Sequence, residues 1–519
     1  MLSRLPPAAL LALLTAALFG RMSTALTQIV AAIYLSPTDF GIYATGVGVM
    51  TLTTVLRGGG TGNYIQTMTP EEFRDSGGRV LRYSLLFFLF GAVVTAAIMW
   101  PVANRYAESK GYPAGLLLGT IGVLIANFGL STLGWFARCR MVSFMRLREV
   151  SAVDACSGVV KFAATWILAS EGFGPIALAA PIGIASLFEN LWLWPRGGLR
   201  GTLTTRGPWL ALTAYQLRFP LAVALLTTLN SQTDSLVGSI FVPVTVIGFY
   251  FFASQLASQP AQLVGSSLRA VFTSAAARVR GDATAERAGL QMLLVGSMIF
   301  MPIASMVIPA VFAPFERAVW NGRWADAYWP VFLLSATLVY PTALNMVTAP
   351  VAAARNWKLA IRLDSVRAGA KIAAAALAGT LIVWLDLGPI ASGVMLAAMV
   401  GGITAVASAW ELMRLMRSAD ISRSVYFYEM YSTPVAAVLI AVAAGSLAES
   451  LTEPLYRVIS IRPAALIETT LAATLYGVLS LGLLRFGYLN ALERVLDGLP
   501  DPAARFARRV LVLDPPTGG

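Results

Sequence analysis

Apolar positions along this chain do not alternate as in a half-buried strand, nor do they form a single stripe as on a surface helix. They run on for about the 20 helical residues that a bilayer core takes, break into a short polar link, and begin again. Fourteen such runs can be drawn, near residues 8–34, 41–63, 81–102, 114–136, 152–170, 175–195, 209–237, 245–271, 288–312, 327–350, 367–385, 389–413, 433–450 and 464–485. The pattern predicts an all-α membrane protein. Its N-terminal stretch "MLSRLPPAALLALLTAALFG" has the look of a secretory leader, but more apolar sequence follows at once, so it reads as the start of the first span.

Composition agrees: of 519 residues 57% are hydrophobic and 12% charged, and the mean hydropathy is +0.71. The net charge of +12 gains meaning from its distribution. Counted with the bases near the adjoining span ends, the N-terminus, the links after the even-numbered spans and the C-terminus hold 28 of the 38 Lys and Arg residues, whereas the links after the odd-numbered spans hold 6. Loops kept in the cytoplasm carry the excess of bases, so both termini are expected inside. The link "YLSPTDFGIY" (34–43), with a proline, an acid, a glycine and no base, is then an outward-facing hairpin. Bases ranked at membrane boundaries do not make the basic groove with stacking aromatics that a nucleic-acid partner needs. There is no histidine, and Cys139 and Cys156 lack the spacing of a metal site, so neither metal nor cofactor is expected.

An internal repeat is visible. "FGIY" at 40–43 recurs as "IGFY" at 247–250, and "GPIA" at 174–177 recurs at 388–391, offsets of 207 and 214 residues. Six spans separate equivalent positions, an even number, so both halves cross in the same sense. The expectation is two six-helix bundles, 1–200 and 205–415, related by a parallel pseudo-twofold axis along the membrane normal. Two further helices follow in 416–485, and then a cytoplasmic tail, 486–519. In that tail "YLNALERVLDGL" has leucines at helical spacing and "RFARR" suits anionic membrane lipid.

The order and spacing of several motifs carry a family resemblance: "LSPTDFGIYATGVGV", "RCRMVSFMRLREV", "EGFGPIALAAPI", "DSLVGSIFVPVTVIGFY", "NGRWADAYWPVFLLS" and "APVAAARNWKL". Over residues 10–415 the chain resembles bacterial polysaccharide flippases of the multidrug/oligosaccharidyl-lipid/polysaccharide exporter superfamily. The resemblance implies transport of an undecaprenyl-pyrophosphate-linked oligosaccharide from the cytoplasmic to the periplasmic leaflet of the bacterial inner membrane. It further implies membrane lipid, and a polymerase and export proteins of the same pathway, as partners. Fourteen helices, where many polysaccharide flippases have twelve, are similar instead to the peptidoglycan-precursor flippases of that superfamily.

A pyrophosphate needs cations in a water-accessible cavity. Arg21 in the first span and Lys161 in the fifth are candidates, each at an insertion cost of roughly 3 kcal/mol. Arg57 and Arg269 end the second span of each repeat, which the pseudo-twofold would set on opposite walls; ordinary boundary residues is the bland alternative. Lipid-II-type flippases, which the chain resembles, carry arginines on helices 1, 2 and 8, a pattern that falls on Arg21, Arg57 and Arg269. Among the acids, Asp234 lies in the polar cluster "NSQTDS" and could pair with a cation or bind a coupling proton or Na⁺; Asp39 in the outer link and Glu189 in the sixth span are further candidates, and Asp154 opens the fifth. Lys371 and Arg218 read as anchors reaching to the inner boundary. "RGGGTGN" lacks the ending of a nucleotide loop and follows a membrane helix, so close packing or a break in the second span is its reading.

Two other classes compete. A glycan polymerase or ligase needs catalytic residues in a large outer region, and the longest outer link is about 14 residues. A small-molecule exporter of the same superfamily would share the fold but needs a less basic cavity, so the chain is read as a transporter and not an enzyme. Reporter fusions are expected to place the C-terminus and the Arg138–Arg148 link inside and Asp39 outside. Finding Asp39 and Arg140 on one side would overturn the topology.

Overall fold

The computed structural model describes residues 22–58, 61, 65, 70–110, 114–143, 146–196, 210–260, 283–353, 356–418 and 423–488. Among these, every long element is helical: α1 (Met22–Tyr34), α2 (Pro37–Gly58), α3 (Pro70–Lys110), α4 (Ala114–Ser143), α5 (Leu147–Ser170), α6 (Ile176–Arg196), α7 (Leu210–Phe241), α8 (244–260), α9 (Ala283–Val319), α10 (Tyr328–Thr337), α11 (Val339–Ala353), α12 (Trp357–Trp384), α13 (Pro389–Ser418), α14 (Arg423–Thr452) and α15 (Ile461–Gly487). Each expected span falls on a helix, the tenth on two. Nine of the described helices are long and apolar enough to cross a membrane, ten if α10 and α11 count as one.

Several helices overrun their apolar runs. α3 begins at Pro70, α12 at Trp357 and α14 at Arg423, before the hydrophobic stretches that announced them. Hydropathy marks the length inside hydrocarbon, but a helix satisfies its own backbone and continues into the polar interface wherever its side chains can reach water.

α10 and α11 meet at a 45° bend at Leu338. Pro341 has no N–H to donate to the carbonyl of Thr337, and its ring crowds that carbonyl, which breaks the helix there. Taken together, the bent pair passes as one apolar span. α7 and α12 run parallel, with Thr227 against Asp364, Asp234 against Lys371 and Phe241 against Gly379.

The described residues group into two compact units by packing rather than by chain order. One draws on 12–252 and 357–400, the other on 253–356 and 401–519. In the first, α2 packs on α3, α4 and α7, α6 lies between α4 and α5, and α12 lies along α7. Its cores are built by Phe73, Leu81, Phe136 and Cys139, and by Ile42, Met50, Ile121 and Leu124. In the second, α9 packs on α10, α11, α14 and α15 around Met306, Ala437, Ala441 and Tyr476. There the Tyr476 hydroxyl donates to the Ile303 carbonyl at 2.7 Å, and buried Glu468 of α15 pairs with Arg317 of α9 at 3.0 Å.

The sequence repeat takes physical form where α2 crosses α8. Thr38 and Thr245, 207 residues apart, touch hydroxyl to hydroxyl at 3.3 Å. A Cβ at Gly41 would lie 1.9 Å from the Val244 carbonyl oxygen, and one at Gly248 would lie 1.8 Å from that of Pro37. All three pairs of positions obey the offset of "FGIY" and "IGFY", so the crossing is a local twofold in which each glycine lets the other helix's backbone in. Phe40 on Phe252 and Tyr43 on Phe251, both edge-on at 5.7 Å, flank it.

Gly41→Ala and Gly248→Ala are each expected to destabilise the protein by about 1–3 kcal/mol, since backbone must move to admit the methyl. Gly119→Ala, where nothing lies within 4 Å, should be neutral or slightly stabilising. Thermal unfolding in detergent checks this, and equal midpoints for Gly41→Ala and Gly119→Ala would contradict the crossing.

Candidate functional site

Two helices carry complementary polar stripes. On α7, Thr227, Asn230 and Asp234 recur at helical spacing; on α12, so do Asp364, Arg367 and Lys371. The parallel packing of these helices sets one stripe against the other. Gly379 makes the approach close, because a Cβ there would lie 2.3 Å from the Phe241 ring.

At one end of the stripe Arg367 pairs with Asp364, both fully buried. Asp364 also accepts from the Thr227 hydroxyl at 3.2 Å, and its carbonyl accepts from the Asn230 amide at 3.1 Å. At the other end Lys371 Nζ lies 3.0 Å from Asp234 Oδ1 and donates to the Asn230 carbonyl at 2.7 Å. Tyr250 of α8 donates to Asp234 Oδ2 at 2.7 Å, and it too is fully buried. Asn230 joins the two ends through its amide and its carbonyl.

The network holds two acids and two bases and is neutral as a whole. Neutrality is what lets it stay buried, since an unpaired charge at such a place costs several kcal/mol. Its parts can be exchanged singly. An arriving proton or cation would compete with Lys371 for Asp234, and releasing Lys371 would free the Asn230 carbonyl with it.

The other expected site residues have varied settings. Asp39 forms a capping box at the start of α2: its Oδ2 accepts from the Ser36 backbone N–H at 2.9 Å and hydroxyl at 2.7 Å, while its own N–H donates to the Ser36 hydroxyl at 3.2 Å. Glu189 accepts from Ser157 at 2.7 Å and faces Gly134, which ties α6 to α5 and α4. Asp154 pairs with Arg138. Lys161 is half-buried on α5. Arg57 is in the last turn of α2, with its side chain outside the described residues; Arg21, Arg269 and most of "RGGGTGN" lie outside them altogether.

Sequence reading missed Asp364 and Arg367 and misjudged Lys371. It began the eleventh span near 367, which made Arg367 a boundary base and Lys371 an anchor at the inner end. α12 starts at Trp357 instead, and carries all three inside its length. The spacing of Asp364, Arg367 and Lys371 opposite a polar stripe on α7 was the available signal. Among the described residues no three His, Cys, Asp or Glu side chains come together as a metal ion would need, and Cys139 is buried while Cys156 is exposed.

The profile of a family described as "Polysaccharide biosynthesis protein" matches residues 30–327, more than half of the chain. Among curated proteins, none matches by sequence. Among solved structures, the lipid II flippase MurJ in an inward closed conformation is similar with a TM-score of 0.64 at 14% identity, over 91% of this chain and 98% of that one. An inward-facing multidrug resistance MATE family transporter of the MOP superfamily has a TM-score of 0.58 at 14% identity, over 77% of this chain and 95% of its own. A MOP superfamily transporter from Pyrococcus furiosus also scores 0.58, at 15% identity, over 81% and 98%. These identities speak for the fold alone. By its sequence match and its helical membrane architecture together, the chain belongs to the polysaccharide biosynthesis protein family, on the fold of the MOP-superfamily transporters.

Proposed function

We propose that the protein is a flippase that carries an undecaprenyl-pyrophosphate-linked oligosaccharide from the cytoplasmic to the periplasmic leaflet of a bacterial inner membrane, for polysaccharide biosynthesis. The observation that carries the cargo class is the family match over 30–327. In this reading both termini are cytoplasmic and the two repeats, 1–200 and 205–415, rock against each other in alternating access. The pyrophosphate meets Arg57 and Arg269 near the inner mouth and then Arg21, with Lys161 adding charge from the wall. A polymerase and export proteins would take the delivered glycan. The likeness to a lipid II flippase over 91% of the chain supports a peptidoglycan precursor as the second reading.

The α7–α12 network supplies the energetic coupling in this scheme. Asp234 is held by Lys371 and Tyr250 in one state, and a proton or Na⁺ replaces Lys371 on the carboxylate in the other. The other candidate acids have local tasks, Asp39 as a helix cap and Glu189 as a link between helices.

A flipping assay in vesicles tests the cargo. Lipid-linked oligosaccharide should be translocated and a lipophilic cation should not. Arginine's fork can hold two phosphate oxygens where lysine offers a point charge, so Arg21→Lys is expected to keep part of the rate and Arg21→Ala almost none. Normal transport by Arg21→Ala at normal expression would remove Arg21 from the site.

A second assay addresses coupling. Asp234→Asn and Lys371→Gln should each destabilise the protein by about 3–5 kcal/mol by leaving a buried partner unpaired, and combining them should restore most of that stability. The double variant is expected to fold and yet lose the stimulation of transport by an ion gradient. If it transports with the wild-type gradient response, the pair is structural only.

A further inference from the structure

Neighbouring helices of the unit built from 253–356 and 401–519 are interrupted at one depth. α9 contains Pro302, Pro309 and Pro314, which leave the carbonyls of Met298, Ser305 and Ala310 without their helical N–H donors. Pro341 does the same to the Thr337 carbonyl at the 45° bend between α10 and α11. α9 and α10 are joined by the short link 320–327 and run antiparallel from the contact of Phe312 with Tyr328, ring centroids 6.2 Å apart. Seven residues along each helix from that contact, two turns, lie Ser305 and Ser335; ten residues along lie Pro302 and Leu338. The proline of α9 and the break between α10 and α11 therefore stand at the same level.

Hydroxyl groups gather around this level. Ser305 and Ser335 are fully buried, and their oxygens have no hydrogen-bond partner. A helical Ser or Thr can bond the carbonyl one turn back, as Thr337 does to Leu333 at 2.7 Å and Thr348 to Leu344 at 2.9 Å. These two serines make no such bond. Instead Ser335 stands at the level of the Ser305 carbonyl, whose helical donor Pro309 removes. On α13, a Cβ at Gly401 would run into the Thr337 hydroxyl, and Thr404 and Ser408 continue that buried face, again without partners. Native structures keep few buried polar groups unbonded, so four in one region call for a reason. The frame around them is fixed. Tyr476 of α15 donates to the Ile303 carbonyl, next to Pro302, at 2.7 Å, and on α14 a Cβ at Gly445 would lie 3.5 Å from the Ala310 carbonyl oxygen.

We propose that the level of Pro302 and Leu338 is a hinge, at which α11 swings against α10 between the bent state of this structure and a straighter one. In the straighter state the hydroxyls of Ser305 and Ser335 bond across the seam to carbonyls that the prolines leave without donors. In the bent state those bonds are lost, while α9 keeps its packing on α14 and α15. Two states that differ by a few hydrogen bonds at equal packing lie close in free energy, as a moving part of a transporter must. The inference rests on the chain being a transporter and is independent of its cargo.

Full-length protein with Cys139 and Cys156 replaced by serine is spin-labelled through Asn356→Cys, just beyond α11, and Phe486→Cys, at the end of α15, both exposed positions. Their separation is measured by double electron–electron resonance in lipid nanodiscs without cargo, so the outcome does not depend on what is transported. This parent protein is expected to show two separations. Ser305→Ala with Ser335→Ala removes bonds of the straighter state only. It should move the ratio roughly tenfold towards the bent state and leave the unfolding midpoint equal or higher. Pro341→Ala restores an N–H for the Thr337 carbonyl and should shift the ratio the other way. A single separation in the parent, an unchanged ratio in the serine variant, or shifts of one direction in both variants overturns the hinge. A serine variant with a lowered midpoint, or one that does not fold, overturns it as well, since the hydroxyls would then be bonded in the bent state. If only Pro341→Ala fails to fold, the ratio and midpoint of the serine variant decide.

Discussion

A charge inside hydrocarbon has to be compensated where it stands, and much of this protein follows from that. Asp234, Asp364, Arg367 and Lys371 would each be a heavy burden on a lone helix. Set on parallel helices whose polar stripes keep step from Thr227–Asp364 to Phe241–Gly379, they become two ion pairs joined through Asn230. The pairs keep step because α7 and α12 run in one direction.

The second constraint is steric. Where α2 crosses α8, the backbones come together at Gly41 and Gly248, and each glycine faces a carbonyl of the opposite helix. Lipid offers no hydrophobic drive for helices to associate, so close packing of this kind has to supply the attraction. That both helices use the same positions, 207 residues apart, makes the crossing self-complementary. The Tyr250 hydroxyl on Asp234 links this crossing to the charged network. Movement of α8 relative to α2 would therefore be felt at the network, which is a physical route for coupling within this unit.

The C-terminal helices follow the same logic. α14 and α15 pack on α9 through small residues such as Ala437, Ala441 and Ala444, and are fixed by the Glu468–Arg317 pair and by Tyr476 on a backbone carbonyl. Tyr456 adds a hydrogen bond to Glu468. Once again a buried acid is matched by a base from another helix.

The sequence by itself determined the helical membrane class, the places of the helices, the repeat offset and the family, because these depend on the lengths of apolar runs and on short motifs, which are local. It pointed to Asp234 as an acid in a polar cluster that could pair with a cation. It did not determine the partner of that acid: Lys371 lies 137 residues away, and near the end of an apolar run its charge looks like a boundary residue. The true start of α12 at Trp357 put Asp364, Arg367 and Lys371 inside a helix, and only the packing of α12 on α7 turned four separate charges into a neutral network. Likewise Asp39, an outer-link acid in the sequence, became a capping residue once Ser36 was placed beside it. Hydropathy is a property of one segment, whereas compensation of charge is a property of pairs, and pairs are chosen by the tertiary structure.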